Sequence, residues 1–294
     1  MTVGPATGPQ NSAYSPTFLS PTSIPMRLLT PPLLALTACR PGVPAIPVPE
    51  LPAAVAPAAG TSRYALAEHR HLEQTVQGHA IVSDAATRLV FSIATTSTDS
   101  GFAAVVLVES VTLEGDTGGM GGAARASGAR LTGHVGPSGT RFVRDDDTGS
   151  YELLDQFALH LHQLLPPLPP DGARPQTAWS DTAVVTGRAA GIPVTVTSQA
   201  TSRAGPWDRL DGSLVLRVTR STAYTLEGEG NPAGPWIVLR GRGMNHTHQV
   251  LDSAGGIVHG VQADTLRVEI EVAGTGFVVP VLQTRADTLR RATP

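Results

Sequence analysis

Lysine is absent from this sequence: all 21 basic residues of the 294-residue chain are arginine. We read that as the codon bias of a GC-rich genome and not as a functional signal. Charge of either sign is scarce, at 15% of residues, and a net charge of −3 supplies no basic field of the kind a nucleic-acid partner requires. Aromatic residues make up only 4%. Trp179, Trp207 and Trp236 are therefore expected in the core and not on a sugar-stacking platform. Cysteine occurs once, at position 39, which excludes an intramolecular disulfide and any zinc site built from several cysteines. The apolar run 28–38 is too short to span a bilayer as a helix, and Pro31-Pro32 would kink it. Catalytic signatures are missing as well. There is no Gly-X-Ser-X-Gly elbow and no His-Glu-X-X-His. Gly228-Glu229-Gly230 with Gly234 lies between strands and opens no helix, so it cannot aim helix N–H groups at a phosphate.

What the chain does have is glycine, proline and period-two alternation, the marks of a turn-rich β protein. Leu89, Phe91 and Ile93 alternate with Val90 and Ser92. Phe102 to Val108 is almost wholly apolar and reads as a central strand covered on both faces. Two more strands, Arg130–Val135 and Thr140–Val143, flank a Gly/Pro turn. In the second half Ile192, Val194 and Val196 form one inward set and Leu214, Leu216 and Val218 another. Leu266, Val268, Ile270 and Val272 face one way, and Arg267, Glu269 and Glu271 the other, as in an antiparallel sheet. Asp252–Gly256 and Ala273–Gly276 punctuate a meander. Ala204-Gly205-Pro206-Trp207 recurs as Ala233-Gly234-Pro235-Trp236. Pro280 inside the last apolar run predicts an edge strand or a bulge. A single helix stands out, Glu152 to Leu165. Leu153, Leu154, Phe157, Leu161, Leu164 and Leu165 share its apolar stripe, and Gln156, His160 and Gln163 fall opposite. Ser150 is placed to cap it and Pro166-Pro167 to stop it. The expected fold is mainly β: an antiparallel meander (curved sheet, half-barrel or sandwich) with one amphipathic helix near 152–165.

The organisation upstream turns on Cys39. Arg27 opens a short apolar segment that ends in Leu36-Thr37-Ala38-Cys39. This stretch resembles a bacterial lipoprotein signal with its lipobox. The resemblance implies cleavage before Cys39, lipidation of that thiol and, with Arg40 and not Asp following, an outer-membrane destination. Residues 1–25 hold no basic residue and no apolar run, so translation is expected to start at Met26. Residues 1–38 then form the signal region. Residues 39–61 form a lipidated Pro/Ala-rich tether that packs no core and reaches roughly 60–70 Å if extended. Residues 62–293 form a β-rich domain of two halves, 62–150 and 177–293, joined by the helix and a Pro-rich linker.

The Tyr64-containing first strand, the Leu168-Pro169…Trp179-Ser180-Asp181 joint and the Asp252…Gly255-Gly256 hairpin resemble parts of lipobox lipoproteins of unknown function built as a β-meander. The architecture also looks like the half-barrels of outer-membrane lipoprotein carriers.

The candidate chemistry is His-X-His, which occurs three times, at His69/His71, His160/His162 and His246/His248. On a strand, residues two apart share a face and could offer two imidazoles to one ion. The pairs on strands could meet if the sheet closes, with Asn245 and Asp252 behind His246 and His248. The helical pair should diverge, since helical residues two apart point about 200° apart. Asp145-Asp146-Asp147-Thr148-Gly149 lacks the ligand spacing of a calcium loop. Asp208 and Asp211 read as turn carboxylates. No residue is assigned as catalytic, cofactor-binding or metal-ligating, and no cofactor is expected. The expectation is a non-enzymatic, membrane-anchored envelope lipoprotein with a binding or structural role, its candidate partners an apolar small molecule or an envelope protein, and its domain in the periplasm or at the cell surface. Phe102–Val108 and Phe277–Val281 are read first as core, with the lining of an acyl-chain cavity as the alternative. The alternative is a metal-dependent periplasmic enzyme using the His-X-His strands.

Overall fold

The computed structural model describes residues 51–99, 101–115, 126–136, 139–144, 152–165, 167–231 and 234–292. Cys39, the Asp145–Gly149 run, Ser150 and most of the glycine-rich stretch after Gly115 lie outside them. The alternating runs become eleven strands: β1 (Gly60–Val76), β2 (His79–Thr98), β3 (Gly101–Gly115), β4 (Arg130–Gly136), β5 (Gly139–Arg144), β6 (Ala178–Ala189), β7 (Ile192–Leu210), β8 (Ser213–Gly230), β9 (Ile237–Asp252), β10 (Ile257–Val272) and β11 (Phe277–Arg291). All pair antiparallel in one sheet of order β5-β4-β3-β2-β1-β11-β10-β9-β8-β7-β6. Pairing of β1 with β11 joins the two halves of the meander. The ends, β5 and β6, approach without pairing, and helix α1 (Glu152–Leu164) packs on both across the nearly closed barrel. The antiparallel meander with one amphipathic helix is the fold the sequence pattern points to.

Alternation sets the faces. Tyr64, Leu66, Leu89, Phe91, Val106 and Val108 point inward and meet Leu154, Phe157 and Leu161 of α1 in the main core. Outward positions along the middle of the strands carry Arg88, Thr197, Glu227, Arg242 and Arg267, all exposed. A bilayer-facing barrel needs an apolar outer band, so this face is built for water. Among the described residues no helix is long and apolar enough to cross a membrane.

Several expectations are corrected. Phe102–Val108 is covered on one face only, because the outward Leu107 is 43% exposed. Trp179 and Trp207 pack against the core, but Trp236 stands 48% exposed at the start of β9. The first Ala-Gly-Pro-Trp lies within β7, where a register shift between Ala204 and Trp207 absorbs it. Pro280 sits on β11, which has a neighbour on each side. The β1 ladder ends at Gln74–Val281, however, so Pro280 pairs only with Glu269 and is locally at an edge.

The end of the proline-rich segment packs, contrary to its reading as a pure spacer. Val55 and Ala173 exchange backbone bonds (2.8 and 2.7 Å), and both are fully buried. The Trp207 indole donates to the Pro52 carbonyl at 3.0 Å. Gly255, at φ 78° in the β9–β10 turn, lies so near Ala56 that a Cβ would meet its carbonyl oxygen. Prolines exclude helix but leave carbonyls free to accept and small residues free to nestle, which is enough to strap 52–56 to the domain.

Candidate functional site: a polar belt beneath the helix

Register builds the site. Reading across the ladders, Trp179, Ser202, Arg220, Thr247, Gln262, Asp287, Glu68 and Thr87 lie side by side on the inner face. The next inner row runs Asp181, Ala200, Thr222, Asn245, Asp264, Arg285 and Arg70. Inner rows on either side are mainly apolar, so a two-row polar belt crosses the sheet within an otherwise hydrophobic interior. The polar face of α1 is seated on this belt, with His160 3% exposed and Gln156 and Gln163 half-buried, and His162 on the other side of the helix is also buried, at 4%.

His160 lies between two carboxylates. Its Nε2 is 2.9 Å from Asp287 Oδ2, and its Nδ1 is 3.4 Å from Glu68 Oε2. Arg285 Nε lies 3.3 Å from the same Asp287 oxygen, and its guanidinium also donates to Gln163 Oε1 on α1. Tyr224 donates to the Asp264 carboxylate at 2.9 Å. Its ring crosses β9 to get there, and Gly243 makes this possible, since a Cβ at that position would overlap the ring. Further along, the Leu164 carbonyl accepts from Gln249 at 2.8 Å, and Arg70 donates to Gln156 at 3.0 Å. Counted as ions, His160, Arg285 and Arg70 balance Glu68, Asp287 and Asp264. A neutral His160 leaves one buried negative charge uncompensated, which is costly.

The electrostatics follow. Burial lifts the Glu68 carboxyl, but the His160 hydrogen bond and the charges of Arg285, His160 and Arg70 outweigh it and hold it at about 2. Burial and Arg285 pull the His160 ring down, while Asp287 and Glu68 pull harder, and the net direction is up. Asp264 is raised by burial against the opposing pull of Arg285 and Tyr224. His162 is the counterpart on the other side of α1. It faces Arg220, which grips Asp181 with both terminal nitrogens (2.5 and 2.8 Å) and donates to Ser202 at 3.1 Å. Burial, then the Arg220 charge, push the His162 ring down to about 4.

Glu68, His160 and Asp287 each offer a ligand atom within 4.8 Å of the others, one imidazole and two carboxylates, a donor set that suits a divalent ion in type. The two ring nitrogens face different carboxylates, however, and Arg285 already supplies positive charge at Asp287. The arrangement fits an imidazolium ion-paired to both carboxylates, with neither Asp287 oxygen in a full hydrogen bond.

The strand His-X-His pairs are elsewhere. His69 and His246 lie in one outward row, separated by Ala286 and Ala263. Three strand spacings put them about 14 Å apart, so the pairs do not share an ion. His71 is engaged by Asp84 (2.8 Å) and Glu73 (3.1 Å), which raise its pKa. Asn245 turns inward to the belt and Asp252 pairs with Arg291, so neither backs His246. Asp208 accepts from its neighbour Arg209 and from Arg217, and Asp211 occupies a tight turn at φ 50°.

No protein-family model matches this chain, and no curated protein matches it in sequence. Among solved structures it is similar to Neisserial surface protein A, at 7% identity over 79% of this chain and 99% of that one, with a TM-score of 0.18. It is similar to a mutant of the Rh. blastica porin, at 11% identity over 78% and 100%, TM-score 0.24. A LolA-superfamily protein from Nitrosomonas europaea matches at 10% identity over 78% and 87%, TM-score 0.17. At such scores these likenesses carry no argument about this chain.

One more feature belongs to the site. Past α1, the inner face continues as largely aliphatic rows, broken by Gln283 between Leu266 and Leu72 and by Gln74 beside Val281, that hold Leu72, Leu226, Leu266, Val268, Ile270 and Val281, all only half-buried. Leu159 of α1 reaches the near part of this trough through Gly187, and Ile81 at its rim is 44% exposed.

Proposed function

We propose that this chain is a lipid-anchored envelope protein whose β domain binds an apolar ligand in the trough beyond α1. The observation that carries the reading is the inner-face row Leu226–Val268–Val281, which points into the barrel as the core rows do yet keeps solvent contact. Aliphatic side chains left half-wet inside a concave sheet offer an acyl-type ligand the free energy of removing that surface from water, about 25 cal/mol per Å². The carrier-like half-barrel expectation and the lipobox at Cys39 agree with a role in handling apolar molecules at a membrane.

Two results are expected. Protein recovered from the membranes of a bacterial host with two membranes should begin at Cys39 and carry the mass of a diacylglycerol. An intact chain that keeps residues 1–38 and an unmodified thiol rules the anchor out. A fluorescent fatty-acid analogue should bind the domain saturably, and Val268→Arg, which places a charge on the trough floor, should weaken it at least tenfold with little change in melting temperature. Absence of saturable binding, or equal binding by the variant, removes the apolar-ligand reading.

A further inference from the structure

The two histidines of α1 place opposite demands on the same helix. His160 is enclosed by Glu68 on β1, Asp287 and Arg285 on β11, and Gln262 on β10, with Asp264 and Tyr224 just beyond. It completes the charge balance of that half of the belt only as an imidazolium. His162, on the opposite side, is buried with its Nδ1 lacking a hydrogen-bond partner, in the field of Arg220 on β8, which is already committed to Asp181 on β6 and Ser202 on β7. A second positive charge there would meet a buried guanidinium whose carboxylate is taken. At the remaining contacts, toward β5 and β6, Asp155 lies 3.8 Å from Arg144 and in the field of Arg188, and Arg70 and Glu152 both reach Gln156. Burial raises the Asp155 carboxyl above its ordinary value, so its protonation does not oppose seating in acid. These groups are already matched in sign. The histidines, two residues apart and both buried, are what pH can change first.

We propose that α1 is a pH-operated plug: it stays seated while His160 is charged between Glu68 and Asp287 and His162 is neutral beside Arg220, and mild acid unseats it at His162. The inference does not depend on which ligand the trough takes. Unseating would uncover the belt and lengthen the apolar trough into the main core, because α1 covers both.

The direction on each side follows from linkage. In the unseated helix His162 titrates near 6.5, and in the seated helix near 4. Seating is therefore fully present above 6.5, and each pH unit below it weakens seating about tenfold until the seated ring also takes a proton. His160 acts the other way. Its raised value means that its contribution is complete below 6.5 and fades as pH climbs through the seated value. Glu68, held at about 2 against a normal 4.5, adds a further loss only below about 4.5. Seating is thus greatest near neutrality.

The test is hydrogen exchange of the α1 amides in the full chain, corrected for the intrinsic pH dependence of exchange, with the amides of β8–β10 as the internal reference for global stability. Wild-type α1 should lose tens-fold in protection between pH 7 and pH 4.5 while the reference strands keep theirs. His162→Gln, which stays neutral, should abolish that loss, and His160→Gln should lower α1 protection already at pH 7. If α1 is as protected at pH 4.5 as at pH 7, or if H162Q opens as the wild type does, the proposal fails. Should H162Q not fold, an NMR titration of the wild-type ring decides: a His162 midpoint near 6.5 overturns the plug, and one below 5 supports it.

Discussion

Asp287→Ala should cost about 3–5 kcal/mol of folding stability, the range for removing one partner from a buried charge network. For a chain of this size the melting temperature should fall by roughly 10 °C. The reason is the company Asp287 keeps. Its side chain is 1% exposed, and the same oxygen faces both His160 and Arg285. Removal leaves His160, Arg285 and Arg70 against Glu68 and Asp264 alone, and the His160 ring loses the strongest support for its proton. Burial and the Arg285 charge then outweigh the remaining Glu68 hydrogen bond and pull the ring below its ordinary value, so the deficit relative to wild type should be largest in mild acid and narrow as pH rises past neutrality. Asp287→Asn keeps the volume and removes only the charge, so comparing the two separates cavity from electrostatics. Urea unfolding at pH 7 reads both. A loss under about 1 kcal/mol for the alanine variant would mean that the belt does not hold α1 in place.

Nothing in the sequence advertised Asp287. Glu68, Gln262, Arg220 and Asp287 each look like an ordinary polar break in a strand, and only register places them in one row. Register depends on turn geometry and on which strands become neighbours, and the β1–β11 pairing joins residues over 200 positions apart. Local patterning was enough for the rest of the architecture. Alternation located most of the strands but not Ala178–Ala189, the Leu153–Leu165 stripe located the helix, and the Asp252–Gly256 turn carries its hydrogen bonds as its composition suggests. The same locality explains the misses. Amphipathicity marks which face of a helix is polar, not whether that face meets water, so His160 reads as the opposite of the core when it is buried against it, and Gln163 when it is half-buried beside Arg285. His-X-His was a real signal whose meaning depended on the element carrying it. On β1 and β9 it faces solvent, and on α1 it splits between two buried clusters. The strap at Val55 could not be read from composition, because proline content excludes helix and says nothing about docking.

Phe157→Ala is the second large effect, and it tests how the helix and the trough are related. Phe157 is 4% exposed, meets Phe91 edge-on at 5.1 Å, and Phe91 in turn lies 5.6 Å from Tyr64. Truncation deletes the ring and leaves a cavity between α1 and β1–β2, a change that costs about 3–5 kcal/mol where the surroundings cannot collapse. A sheet this continuous cannot shift one strand inward without breaking its ladders on both sides, so little collapse is available. Most of the cost should appear as loss of α1 seating, since the strands keep their backbone pairing and lose only one packed neighbour. Hydrogen exchange should then show α1 opening while β8–β10 stay protected. The consequence for binding is specific. If the trough beyond α1 and the core beneath it form one apolar surface, loosening the helix lengthens the site, and the fatty-acid analogue should bind Phe157→Ala more tightly than wild type. If affinity stays the same while α1 is demonstrably open, the trough ends at Leu159, and the helix is a structural wall and not a plug over the ligand's path.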